Sequence, residues 1–148
     1  MKKKVIRSFY PKKDSLQSKW VVYDAKDKIL GRAASDIASL LLGKFTATYT
    51  PGSSSKQHVI VINAESVKVT GKKFTDKVYY KHTGFKGGLK EATFKELKAK
   101  HPTDPLRKAV NGMLPHNSYG RSLQRNVRFI VGEEHHMEAQ QPTEFVKG

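Results

Sequence analysis

The chain has 148 residues, enough for one domain that buries a hydrophobic core without disulfide or metal cross-links. It has no cysteine, which excludes disulfides, cysteine-ligated metals and thiol chemistry. Its 28 basic residues outnumber 13 acidic ones, and the net charge of +15 is typical of proteins that bind nucleic acid. The most apolar stretch, residues 37–42, is too short to cross a membrane. The basic charge could also attract a membrane surface, but no basic amphipathic helix with a bulky apolar face is found, so no membrane is expected as a partner.

The charge is spread unevenly along the chain. Residues 66–128 carry fifteen basic and four acidic side chains, whereas residues 129–148 carry one and four. Together with the patterns below, this distribution predicts three regions. They are a flexible basic arm at residues 1–19, a compact α/β RNA-binding domain at residues 20–132 and a polar acidic tail at residues 133–148.

The first elements predict a βαβ unit. The continuous apolar run Trp20–Tyr23 is typical of a buried strand, and residues 58–63 repeat that pattern. Between them, apolar residues recur from Leu30 to Leu41 at helical spacing, and Gly43 supplies a stop signal. A right-handed crossover with two parallel strands is therefore expected.

The second half predicts further short elements. Residues 66–70 and 77–82 read as strands, residues 84–88 as a flexible loop, and residues 127–131 as a final strand. Residues 93–100 read as a short helix. In it, Thr93 and Glu96 have the spacing of a capping box.

Another helix is predicted after residue 103. Asp104 is expected as its N-cap and Pro105 as its first residue, and Pro115 should end it. Gly120 is expected to adopt a positive φ in the turn that follows. The buried stripe of this helix is predicted to be Leu106, Ala109, Val110 and Met113.

Signatures of enzymes and metal sites are weak. The sequence has no nucleophile elbow, phosphate-binding loop or His-Glu-x-x-His motif. Gly84–Gly87 matches the Gly-x-x-Gly loop of KH domains, but a strand-like run precedes it where a helix is needed. His135 and His136 are adjacent, and adjacent histidines rarely share a metal. No catalytic residue, cofactor, metal or small-molecule substrate is expected.

Two blocks combine basic side chains with aromatic or histidine rings, which suits RNA because cations neutralise phosphates and rings stack on unpaired bases. The first block surrounds residues 79–86, and the second follows residue 113. The predicted RNA-binding residues are Lys44, Lys72, Lys73, Lys77, Tyr80, Lys81, His82, Lys86, Arg107, Lys108, His116, Arg121, Arg125 and Arg128.

An ordered set of short segments resembles the bacterial large-subunit ribosomal protein L13 family over roughly residues 19–142. Each segment alone is a weak signal, and the order is what makes the set specific. The segments are Trp20–Ala25, Leu30–Ala33, Leu42–Lys44, Tyr49–Pro51, Val59–Ala64, Val69–Lys72, Lys77–Tyr80, Val110–Pro115, Gly120–Arg121 and Ala139–Pro142.

The resemblance implies an α/β fold, a three-layer α/β/α sandwich with a mainly parallel sheet of about four strands. It also implies binding to large-subunit ribosomal RNA beside neighbouring large-subunit proteins, an early role in subunit assembly and a place in the cytoplasmic ribosome. The chain departs from the family pattern at His116, where a lysine is usual. The alternatives are an RNA-modifying or RNA-processing enzyme on a doubly wound sheet and a free nucleic-acid-binding regulator.

Overall fold

A computed structural model describes residues 10–12 and 16–145, so most of the predicted arm at residues 1–19 lies outside the described residues. The strands are β1 (Lys19–Asp24), β2 (Gln57–Ile62), β3 (Val78–His82), β4 (Leu89–Thr93), β5 (Val127–Phe129) and β6 (Thr143–Glu144). The helices are α1 (Leu30–Leu42), α2 (Lys73–Asp76), α3 (Phe94–Lys100), α4 (Asp104–Met113) and α5 (Ser118–Gln124).

The central sheet contains four strands in the order β5-β2-β1-β6, and all three pairings are parallel. Val21 lies opposite Val59, which in turn lies opposite Val127. The mixed α/β fold with a mainly parallel four-stranded sheet is therefore confirmed. Parallel strands need crossover connections, and the first of these is the predicted helix α1.

Helix α1 packs the predicted apolar stripe into the core. Ile37 and Leu41 are fully buried there, against Tyr23, Val59 and other side chains of the sheet. The helix ends at Gly43, whose φ of 77° is left-handed and whose backbone N–H donates to the Leu40 carbonyl. The periodicity and the stop signal together predicted this element correctly.

Strands β3 and β4 form an antiparallel hairpin outside the central sheet. The turn between them includes Gly84 and Gly87, both at positive φ, where glycine meets no steric penalty. Strand β4 was not predicted, because its sequence Leu-Lys-Glu-Ala-Thr has neither strong alternation nor β-branched enrichment. The strand predicted at residues 66–70 is wrong, since this segment forms only one bridge, from Lys68 to Ile29.

Helices α3 and α4 follow their predicted signals closely. The Thr93 hydroxyl accepts from the Glu96 backbone N–H, and the Glu96 carboxylate accepts from the Thr93 N–H, which confirms the capping box. In α4 the N-cap is Thr103 and not Asp104, so that prediction was one residue late. Met113, the last residue of the helix, is 45% exposed, so its predicted burial is wrong.

The segment after Pro115 is a helix and not a turn. Asn117 caps α5, and its side-chain oxygen accepts from the Gly120 N–H at 2.9 Å. The positive φ predicted for Gly120 is wrong. Glycine is required there for a different reason, because a Cβ would lie 1.7 Å from the Pro115 carbonyl oxygen.

The chain returns to the central sheet near its C-terminal end. Strand β6 pairs with β1, and the Phe145 N–H donates to the Val22 carbonyl at 2.9 Å. The Phe145 ring lies 5.3 Å from the ring of Phe45 and 6.0 Å from that of Tyr23. The described part of the predicted tail thus supplies the edge strand that protects β1. No helix among the described residues has the length and apolarity to span a membrane.

Candidate nucleic-acid interface

The predicted RNA-binding residues are all exposed, but they lie in three places. One group lies on α2, the β3–β4 hairpin and the first turns of α4. A second lies where β2 and β5 begin. Arg128 lies apart from both. Surface exposure of so many cations is compatible with phosphate binding, since a buried cation would need a partner inside the fold.

The first group, which we call the hairpin patch, joins α2, the β3–β4 hairpin and α4. The ammonium groups of Lys77 and Lys108 lie 5.3 and 5.0 Å from the ring centroid of Tyr79. Tyr79 is half-buried, and burial raises the pKa of its hydroxyl. A cation over the face of an aromatic ring is held electrostatically. Tyr79 therefore holds Lys77, which directly precedes β3, near Lys108 of α4. The predicted members of the patch are Lys72, Lys73, Lys77, Tyr80, Lys81, His82, Lys86, Arg107 and Lys108.

Arg107 differs from the rest of the hairpin patch, because its charge is paired with a carboxylate of the protein. Its guanidinium forms an ion pair with Asp104 at 3.6 Å and lies 5.6 Å from the Phe129 ring centroid. It is the one predicted residue with an ion pair in the described part of the chain. Part of its role is therefore to brace α4 against the end of β5.

The second group, which we call the α5 patch, comprises Lys44, His116, Arg121 and Arg125. Helix α5 leads directly into β5, and the Asn126 carbonyl accepts from the Val59 N–H at 2.9 Å. The Tyr119 hydroxyl donates to the Ser53 carbonyl at 2.9 Å, which ties α5 to the loop that follows Lys44. This bond places the start of α5 against the loop between α1 and β2, near the ends at which β2 and β5 begin.

Arg128 lies between Val127 and Phe129, which point into the core, so its side chain projects from the opposite face of the sheet. On that face His58 stacks on Trp20, with ring centroids 4.4 Å apart. Burial, and then the positive charge of Arg128, lower the pKa of His58. Arg128 therefore does not belong to either patch.

Sequence reasoning missed Lys90 on β4. This residue lies directly opposite Lys81 in the hairpin register and is exposed. If residues 84–88 had been interpreted as the turn of a hairpin, the residues that follow would have been paired with β3, and Lys90 with Lys81. The turn was instead interpreted as a flexible loop, so β4 was not sought.

The histidine pair near residue 135 has no metal-site geometry. His136 Nε2 lies 3.9 Å from a Glu134 carboxylate oxygen, and both side chains are largely exposed. Across residues 10–12 and 16–145, no group of three or more His, Asp or Glu side chains is placed to hold a metal ion.

The profile of the family described as Ribosomal protein L13 matches residues 18–136. The chain belongs to this family. A large ribosomal subunit protein uL13 from Acholeplasma laidlawii is 49% identical over 137 residues, which cover 93% of this chain and 96% of the relative. A uL13 protein from Desulfotalea psychrophila is 48% identical over 130 residues, which cover 88% and 92%.

The ribosomal protein L13 match spans both patches and Arg128. It begins just before β1 and ends before β6, so the edge strand lies outside the matched range. The family resemblance drawn from short ordered segments is confirmed by this match. Membership of a ribosomal protein family favours a structural role over the enzyme and regulator alternatives.

Proposed function

We propose that this protein is a structural constituent of the large ribosomal subunit, which binds large-subunit ribosomal RNA and supports early subunit assembly. The observation that carries the proposal is the exposed basic surface of a ribosomal protein L13 chain. Apart from Arg107, the predicted cations form no ion pair within the described part of the chain. They remain available for phosphates, and no catalytic step is assigned to them.

The physical contribution of such a surface is electrostatic and geometric. RNA segments that crowd together repel one another, and cations placed between them lower that repulsion. A folded α/β core holds its cations at fixed positions, so less conformational entropy is lost on binding than with a disordered tail. With its two patches at separate places, the protein can hold RNA segments together in the cytoplasmic ribosome beside neighbouring large-subunit proteins.

The affinity for ribosomal RNA should fall steeply with salt. If roughly six to ten cations contact phosphates, affinity should drop about a thousandfold or more between 50 and 200 mM salt, because bound counterions are released on binding. A filter-binding titration on large-subunit ribosomal RNA measures this slope. A flat response would contradict the proposal, since it would mean that phosphate contacts contribute little.

The α5 patch should be needed for incorporation into subunits. Replacing Arg121 and Arg125 with alanine removes two exposed guanidinium groups and should leave the melting temperature nearly unchanged. Because charge-assisted hydrogen bonds are strong, occupancy in competition with the wild-type protein should fall roughly tenfold or more. The measurement is mass spectrometry of subunits assembled from an equal mixture.

The matched control replaces Lys26 and Lys68 with alanine. Both lysines are also exposed, but they form ion pairs with Glu133 and Asp27. This variant loses the same charge and should be incorporated nearly as well as the wild-type protein. Equal incorporation of the α5-patch variant and this control would exclude Arg121 and Arg125 as specific contacts.

A further inference from the structure

The β3–β4 hairpin has two faces of different chemistry. Side chains alternate along a strand, so Tyr79, Lys81, Lys90 and Ala92 share one face. The other face carries Tyr80 and His82 with their partners Glu91 and Leu89. The lysines are thus separated from the exposed aromatic side chains by the thickness of the hairpin.

On the face that carries Lys81 and Lys90, which we call the lysine face, like charges lie opposite each other. Lys81 and Lys90 are directly paired across the strands, an arrangement that destabilises an isolated hairpin. Lys77 and Lys108 add two ammonium groups around the Tyr79 ring on this side. None of these four lysines forms an ion pair within the described part of the chain. The nearest strand carboxylate, Glu91, points to the opposite face.

The other face, together with the turn, presents apolar surface to solvent. Tyr80 is 63% exposed, Leu89 is 55% exposed and Phe85 at the tip is 78% exposed. Lys86, the next residue in the chain, is also exposed. Exposed rings interleaved with cations suit unpaired RNA bases, because every base offers a face for stacking while the cations meet its phosphates.

We propose that the β3–β4 hairpin is a two-sided RNA wedge. Lys77, Lys81, Lys90 and Lys108 bind the sugar-phosphate backbone of one segment, and Tyr80 and Phe85 stack on unpaired bases of another. This inference rests on the proposed function and deepens it, because it assigns a different RNA component to each face. It also adds Lys90 to the contact residues. The unfavourable Lys81–Lys90 pair is then explained by function, because both lysines bind phosphates.

The first test compares salt slopes on large-subunit ribosomal RNA. Lys81→Ala with Lys90→Ala should weaken binding at low salt and reduce the log–log slope by about 1.5, since two phosphate contacts are lost. The Lys26→Ala/Lys68→Ala control removes the same charge from ion-paired positions, and its slope should change by less than half as much. An equal change in both variants would mean that only net charge matters, and the lysine face would be wrongly assigned.

The aromatic face has its own test in the same titration. Tyr80→Ala with Phe85→Ala should lower affinity roughly tenfold while leaving the salt slope unchanged, because stacking releases no counterions. Tyr80→Phe with Phe85→Tyr keeps both rings and should restore wild-type affinity. An unchanged affinity of the alanine variant overturns stacking on bases. If that variant nevertheless incorporates poorly into subunits, the face contacts a protein.

A single charge reversal separates RNA contact from a purely structural role. Lys90→Glu places a carboxylate opposite Lys81, which should slow amide hydrogen exchange in β3 and β4 of the free protein roughly two- to fivefold. The same variant should bind ribosomal RNA at least tenfold more weakly. If exchange becomes faster as binding weakens, Lys90 acts by holding the hairpin together and the contact assignment is overturned.

The failures of the two proposals can be told apart. If the wild-type protein shows no salt-dependent binding to large-subunit ribosomal RNA, the proposed function fails. If the wild-type protein binds steeply and the hairpin variants match the Lys26→Ala/Lys68→Ala control, only the wedge fails.

Discussion

Replacement of Gly120 by alanine should destabilise the protein by about 3 kcal/mol, because a buried Cβ cannot be accommodated without displacing the backbone. The Cβ would lie 1.7 Å from the Pro115 carbonyl oxygen and 2.8 Å from its carbonyl carbon. Both atoms are backbone, so no side-chain rotation relieves the contact, and α5 must move away from the end of α4. For a domain of this size, the melting temperature should fall by roughly 10 °C.

The control for this prediction is Gly112→Ala. Gly112 also lies in a helix, α4, but it is exposed and a Cβ there meets no atom within 4 Å. Alanine has the higher helix propensity, so this variant should be unchanged or more stable by up to about 1 kcal/mol. Thermal melts followed by circular dichroism measure both variants. Equal stability of the two variants would show that the Gly120–Pro115 approach is not a packing constraint.

Replacement of Leu41 by aspartate should abolish folding. Leu41 is fully buried in the core with Ile37 and Val59, so the variant loses apolar burial and places an unpaired carboxylate among hydrocarbon side chains. Removal of a buried leucine alone costs about 2–5 kcal/mol. The buried charge adds a penalty that, together with this loss, reaches the total stability of about 5–15 kcal/mol typical of a domain.

Ser35→Asp provides the matched control for Leu41→Asp. Ser35 lies on the exposed side of the same helix, where a carboxylate stays hydrated. Its free energy of unfolding should change by less than about 0.5 kcal/mol. A cooperative melt of the Leu41→Asp variant near the wild-type temperature would contradict the burial of this stripe.

Elements defined by local chemistry could be predicted from the sequence. The stripe from Leu30 to Leu41 specifies α1 because helical spacing is a property of neighbouring residues, and the Thr93–Glu96 capping box is equally local. Strands β4 and β6 could not be predicted, because both depend on partners elsewhere in the chain. The sequence Leu89–Thr93 becomes a strand through its pairing with β3, and Thr143–Glu144 through its pairing with β1.

The candidate interface was predictable in composition and not in arrangement. Exposed cations follow from charge and helical phase, as with Lys108 opposite the buried Leu106 and Val110. Their grouping depends on tertiary contacts, such as the Tyr119–Ser53 hydrogen bond that brings α5 to the loop after Lys44. The same limit explains the prediction for Gly120. A glycine indicates a special requirement of the backbone, but the sequence alone does not distinguish a positive φ from a close approach of another backbone segment.

The most direct test of a structural role in the ribosome is the distribution of the native protein on sucrose gradients of cell extract, after a high-salt wash. The protein should sediment with large subunits at one copy per subunit, because contacts made at several separate places must all break before the protein dissociates, even though salt weakens each phosphate contact. Its depletion should lower the yield of large subunits and accumulate lighter precursor particles. Recovery of the protein only at the top of the gradient, with normal subunit yield after depletion, would contradict the account.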